Sequence, residues 1–132
     1  MLDCLIMGDS IAVGTQMAAR QCAVYAKSGI NSRQWSSKHH NLAPYRARTV
    51  IISLGSNDHK HVKTEEELRL IRRQTVADRV YWILPAVNPA AQEIVKRIAG
   101  ENSDTVLPIP KLQPDGVHPT WAGYKQLAQQ IK

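Results

Sequence analysis

Apolar residues fall along the chain in short runs, each cut off by glycine, proline or a polar cluster. The run from Leu2 to Met7 predicts a buried strand that stops at Gly8. From Ile11 to Gln21 the spacing becomes helical, with Val13, Met17 and Ala18 on one face. Cys22 to Ala26 predicts a second strand. Lys27 to Asn41 is polar, contains Ser28-Gly29 and Asn31-Ser32, and predicts a loop with a short helix before Pro44. Thr49 to Leu54 is β-branched and bounded by Gly55, which makes it the clearest strand. Thr64 to Glu67 reads as a capping box, with Thr64 as N-cap and Glu67 three residues on. It opens a helix to about Asp78 with Leu68, Ile71 and Thr75 facing inward. Val80 to Leu84 predicts a fourth strand, stopped by Pro85. Pro89 suits the first turn of a helix that carries Ile94, Val95 and Ile98 and ends at Gly100. Thr105 to Ile109 predicts a fifth strand, and Pro119-Thr120 opens a last helix with Tyr124, Leu127 and Ile131.

Strands alternating with helices imply an α/β fold, a parallel sheet with helices on both faces. The 132 residues suit one domain spanning 1–132, and no repeat, linker or low-complexity segment interrupts them. In such sheets ligands gather at the C-terminal ends of the strands. Four polar segments follow predicted strand ends: Gly8-Asp9-Ser10, Ser28-Gly29-Ile30-Asn31, Gly55-Ser56-Asn57-Asp58, and Asp115 to Pro119. The fold therefore brings Ser, Gly, Asn and Asp/His to one sheet edge.

Each residue has a bland reading when taken alone. Ser10 is well placed as an N-cap, Gly29 as a turn residue, and Asn57-Asp58 as a turn. Together they hold the parts of serine-based ester hydrolysis: a hydroxyl, a base, a group that orients the base, and donors for an oxyanion. Ser10 supplies the hydroxyl, His118 the base, and Asp115 its partner three residues earlier. The N–H groups of Ser10 and Gly29 and the side-chain amide of Asn57 are the candidate donors. Asp9 is expected to brace the corner and Asp58 to hold its loop.

The segments GDSIAVG, SGINS, GSND and DGVHPT, in this order, resemble the SGNH (GDSL-like) hydrolase family. The resemblance runs from Leu2 into the last helix. It implies a flavodoxin-like three-layer domain with strand order 2-1-3-4-5 and a serine esterase mechanism without metal or other cofactor. By residue it implies Ser10 as nucleophile, Ser10, Gly29 and Asn57 as the oxyanion hole, His118 as base and Asp115 as its partner.

The net charge of +6 is unevenly placed. No Asp or Glu occurs from Ser10 through Asn57, whereas Arg20, Lys27, Arg33, Lys38, Arg46 and Arg48 do. A solvated face explains this, and so does attraction to an anionic substrate. The basic residues are scattered with few aromatics between them, which argues against nucleic acid as a partner. No apolar run approaches the roughly 20 residues of a membrane span. No basic stretch precedes an apolar leader, which sets the cytoplasm as the default expectation. Cys4 and Cys22 are expected to lie at one height on adjacent strands as free thiols. His39, His40, His59 and His61 lack a ligand pattern of acids or cysteines and read as solvated loop histidines, with His59 at the pocket rim. The segment from Ile30 to Tyr45 is the stretch left to shape the site, with Trp35, His39, His40 and Tyr45; Trp35 and Asn31 from it, and His59 from the pocket rim, are the candidate substrate contacts. With little chain left for a lid, the expected substrate is a small acyl group, such as acetyl, on a carbohydrate or other large and anionic carrier. Lipolytic or thioesterase activity, and a non-catalytic binding module, are the competing readings.

Overall fold

A computed structural model describes residues 1–131. Its strands are β1 (Leu2–Gly8), β2 (Ala23–Ala26), β3 (Tyr45–Ser53), β4 (Thr75–Val76), β5 (Arg79–Ile83) and β6 (Thr105–Leu107). Its helices are α1 (Ser10–Ala18), α2 (Ser32–His39), α3 (Thr64–Arg73), α4 (Pro89–Glu101) and α5 (Trp121–Gln130). The sheet is parallel in the order β2-β1-β3-β5-β6, with the two-residue β4 pairing only with the start of β3. Setting β4 aside, this is the 2-1-3-4-5 order that the resemblance implies.

The central strands are buried on both faces, so Leu5, Ile6, Met7 and Val50 to Ile52 need no alternation. One face packs Leu5, Met7, Val50 and Ile52 with Trp35, Trp82, Leu68, Ile71 and Val95 beneath α2, α3 and α4. The other packs Ile6 and Ile51 with Ile11, Ala12, Ile83 and Leu127 beneath α1 and α5. These helices approach closely because Gly14 carries no side chain: a Cβ there would enter the Tyr124 ring.

Several element limits differ from expectation, each for a local reason. β3 begins at Tyr45, and its first four residues alternate buried and exposed before the continuous run. α3 ends at Arg73 rather than near Asp78, because Gln74 O accepts from Tyr45 N (2.9 Å) and Thr75 pairs with Tyr45. Thr64 is not the cap of α3. Lys63 holds that position without a side-chain bond, and Thr64 Oγ1 donates instead to Asp58 Oδ2 at 2.8 Å. In α1 the buried residues are Ile11, Ala12, Gly14 and Thr15, while Met17 is 57% exposed. The approach of Tyr124 to Gly14 selects that face.

Cys4 and Cys22 are not free thiols but a disulfide, with Cα atoms 4.8 Å apart. Leu5 pairs with Ala23, so the two cysteines do sit at one height. Cys22 lies just before β2, in a turn where its N–H donates to Ala19 O. It is therefore outside the ladder, and its side chain is not obliged to stand perpendicular to the sheet. The bridge closes a loop across 18 residues of separation. Its reduction is expected to lower stability by about 3 kcal/mol. Thiol titration of the denatured chain should find no free thiol before reduction and two after it, alongside a lower denaturation midpoint.

Candidate active site

The site is built at the C-terminal edge of the sheet, starting with the corner after β1. Gly8 has φ +147° and passes so close to β3 that a Cβ would collide with Ser53 O. Asp9 N donates to the same Ser53 O at 3.0 Å. Asp9, not Ser10, is the N-cap of α1: its Oδ1 accepts from Ile11 N at 3.0 Å and from Ser53 Oγ at 3.3 Å. Ser10 is thereby the first helical residue, half-buried, with its hydroxyl free to point out of the corner.

That hydroxyl meets His118, 108 positions away in sequence, with Ser10 Oγ 2.8 Å from His118 Nε2. His118 Nδ1 is in turn 2.8 Å from Asp115 Oδ2. The carboxylate facing Nδ1 places the imidazole proton there, leaving Nε2 to accept from Ser10. The loop that presents this pair is set by its own chemistry. Gly116 adopts φ +70°, and Asp115 Oδ1 accepts from Val117 N (2.9 Å) and His118 N (3.0 Å). One carboxylate oxygen thus folds the turn while the other holds the ring. These bonds, from Val117 N–H first and then from His118, pull the Asp115 pKa down to about 2, so it remains an anion. Gln113 clamps the outside: its N–H donates to His118 O at 2.7 Å and its Nε2 to Pro119 O at 2.9 Å.

The other two polar segments arrive beside this pair. Lys27 N donates to Gly8 O (3.0 Å), which sets the Lys27–Ile30 turn against the end of β1. Gly29 in that turn has φ +79° and open space above it. Asn57 Nδ2 donates to Ile30 O at 3.0 Å, tying the segment after β3 to the same turn. One Asn57 side-chain N–H is so engaged, and the second has no protein acceptor among the described residues. Neither the Ser10 nor the Gly29 N–H has a protein acceptor among the described residues. Asp58 does hold its loop, accepting from Ser32 N (2.9 Å) and Thr64 Oγ1 (2.8 Å).

Two of the candidate substrate contacts lie elsewhere. Trp35 is fully buried, donates from Nε1 to Tyr25 O, and stacks with His39 at 4.6 Å. It belongs to the core because α2 lies across the sheet with that face inward. Asn31 is buried as the N-cap of α2, in a capping box with Gln34 in which its Oδ1 accepts from Gln34 N and its backbone N–H donates to Gln34 Oε1, so its side-chain oxygen is already engaged. His39 is buried rather than solvated, and burial pushes its pKa down. His59 is exposed two residues after Asn57, with Nδ1 accepting from His61 N. Asn88 escaped the sequence reading although the Asn-Pro dipeptide marks a helix start. It sits at φ +69°, and its Nδ2 donates to Gly55 O and Asp58 O (both 2.9 Å), fixing the Asn57 loop.

Asp9 is the electrostatic anomaly of the site. It is fully buried, Oδ2 has no partner, and burial raises its pKa from 3.8 to about 6 against the lowering effect of its hydrogen bonds. A carboxyl whose folded pKa is raised binds a proton in the folded state between these values, when the unfolded chain does not. The folded state therefore gains most below pH 3.8 and loses that gain as pH rises through about 6. Asp9→Asn keeps the Oδ1 acceptor and removes the titration. Between pH 4 and 7 the variant is expected to lose less stability than the parent, by roughly 2 kcal/mol. Urea midpoints measured across that range check it.

No protein-family model matches the chain, and no curated protein does. Its fold matches solved structures. A GDSL-like lipase from Bacteroides thetaiotaomicron is 18% identical, with TM-score 0.64, over 97% of this chain and 84% of that one. The catalytic domain of the peptidoglycan O-acetyltransferase OatA from Streptococcus pneumoniae is 16% identical, with TM-score 0.61, over 98% and 96%. An acetyl xylan esterase from Butyrivibrio proteoclasticus is 11% identical, with TM-score 0.59, over 97% and 62%.

Proposed function

We propose that this chain, which has the SGNH/GDSL hydrolase fold, is a serine ester hydrolase that removes small acyl groups from a carbohydrate or similar large carrier. The observation that carries the reading is the relay from Ser10 through His118 to Asp115, two contacts of 2.8 Å. Ser10 Oγ attacks the ester carbonyl carbon while His118 Nε2 takes the hydroxyl proton. Asp115 keeps the imidazole oriented and stabilises the positive charge the ring acquires. The N–H groups of Ser10 and Gly29, with the second Asn57 N–H, receive the developing oxyanion, and the N-terminus of α1 adds positive potential there. His118 then returns the proton to the leaving alcohol, giving an acyl-serine. Water, deprotonated by the same imidazole, attacks that intermediate, releases the acid and restores Ser10.

The carbohydrate part of the reading draws on the acetyl xylan esterase and peptidoglycan O-acetyltransferase among the neighbours. The small-acyl part draws on the openness of the site: Gly29, Asn57 and His59 are all exposed. None of the helices is long and apolar enough to cross a membrane among the described residues. The disulfide favours an oxidising compartment over the cytoplasm as the place of work.

A fluorophosphonate probe is expected to label the protein stoichiometrically, and Ser10→Ala to abolish labelling and cut ester hydrolysis by about 10⁴-fold or more. Folded protein that resists the probe would instead be a binding module on the same fold. Among p-nitrophenyl esters, kcat/KM is expected to fall by about tenfold or more from acetate to octanoate, about 1.4 kcal/mol of discrimination. A flat or rising profile would identify a lipolytic or thioesterase activity.

A further inference from the structure

The turn that carries Gly29 also forms one wall of a separate cleft. Lys27, Ser28, Gly29, Ile30, Gln34 and Lys38 line a space of about 360 Å³. Ile30 N donates to Lys27 O, closing the turn, and Gln34 is anchored through its Oε1, which accepts from Asn31 N. Gln34 and Lys38 are four residues apart on α2 and so share a face. The two lysines are exposed, and neither makes an ion pair among the described residues. No acid lines the cleft. Of the carboxylates that flank it in sequence, Asp9 is buried at the cap of α1, and Asp58 uses both oxygens on Ser32 N and Thr64 Oγ1. Two like charges facing one water-filled space repel each other, and an anion between them relieves that repulsion. Because Gly29 belongs to both the turn and the acyl-transfer site, an anion held here lies beside the reacting ester.

We infer that the Lys27–Lys38 cleft seats an anionic group, carboxylate or phosphate, of the glycan that carries the ester, adjacent to the acylated unit. This rests on the esterase reading for its placement, though the cleft itself does not depend on catalysis. The acid-free segment from Ser10 through Asn57 then has a use: it keeps carboxylates away from the approach of a negatively charged polymer. Lysine is suited to this task as a compact charge on a flexible stem, able to follow an anion whose distance from the ester varies.

Binding to Ser10→Ala protein separates the subsite from the chemistry. Oligogalacturonate tests the carboxylate, inorganic phosphate the phosphate, and neutral xylo-oligosaccharide is the reference, all by NMR titration at low salt. At least one of the two anions should bind more tightly than the neutral oligosaccharide and shift the amides of Ser28 and Gly29. Lys27→Gln/Lys38→Gln should weaken that binding roughly five- to tenfold. Arg73→Gln/Lys96→Gln removes the same charge from exposed positions of α3 and α4 and should leave it unchanged. In the active protein, the ratio of kcat/KM on acetylated polygalacturonate to that on p-nitrophenyl acetate should fall by a similar factor in the lysine pair and at raised salt. Equal weakening by both pairs would reduce the effect to net charge and overturn the subsite, as would no binding above the neutral reference. Failure of the unsubstituted protein to take the fluorophosphonate probe, with anion binding intact, would overturn the esterase reading instead.

Discussion

The contact on which the structure depends is the one between the end of β1 and the end of β3. Gly8 passes Ser53 too closely for any side chain, and Asp9 is then bonded through its N–H and its carboxylate to Ser53 and to the first turn of α1. This pins the helix start to the centre of the sheet, between strands that are buried on both faces. Ser10 inherits its position from that corner. The arrangement places a carboxyl in a fully buried site with one oxygen unpartnered, at a cost that appears as a pKa near 6. A shorter polar cap facing water would hold the helix without that cost. It would not tie α1 to β3, and the hydroxyl would lose its fixed direction.

Around the corner, side chains bound to backbone do the work of a rigid frame. Asn57 binds Ile30 O, Asp58 binds Ser32 N, Asn88 binds Gly55 O and Asp58 O, and Asp115 folds its own turn. Each bond joins two loops from different strand ends or closes one loop on itself, so the polar segments form a single network. The far part of the molecule is held differently, by Arg69 forked on Glu101 and Arg72 forked on Asp104, which also accepts from Trp82 Nε1. These pairs join α3 to the end of α4 and the start of β6, keeping the second layer of helices in register with the sheet.

Much of this was legible in the chain because it rests on local chemistry. Hydrophobic runs bounded by Gly and Pro mark β1, β3 and α4, and alternation of strand and helix leaves a parallel sheet as the economical arrangement. Asp115 and His118 are close in sequence, and their loop is folded by Asp115 itself. Less visible was the identity of caps. Ser10 and Thr64 both have the right chemistry for an N-cap, yet Asp9 takes the first place and Asp58 claims the Thr64 hydroxyl. Cap preference is worth only about 1 kcal/mol, and a tertiary partner easily outweighs it. Trp35 looked available for a substrate because polar residues surround it in sequence. It is buried because α2 has only a narrow inward face and the tryptophan fills it.

The sequence by itself determined the fold class, the edge at which the chemistry collects and the residues able to carry it, since these follow from periodicity, glycine placement and side-chain type. Only the tertiary structure decided which groups meet. The 2.8 Å contact between Ser10 and His118 requires α1 and α5 to pack through Gly14 and Tyr124, a match between helices at opposite ends of the chain. The bridge between Cys4 and Cys22 required knowing that Cys22 stands outside the β2 ladder. Such outcomes depend on distances of a few ångströms between segments far apart in sequence, and those are set by how the whole core closes.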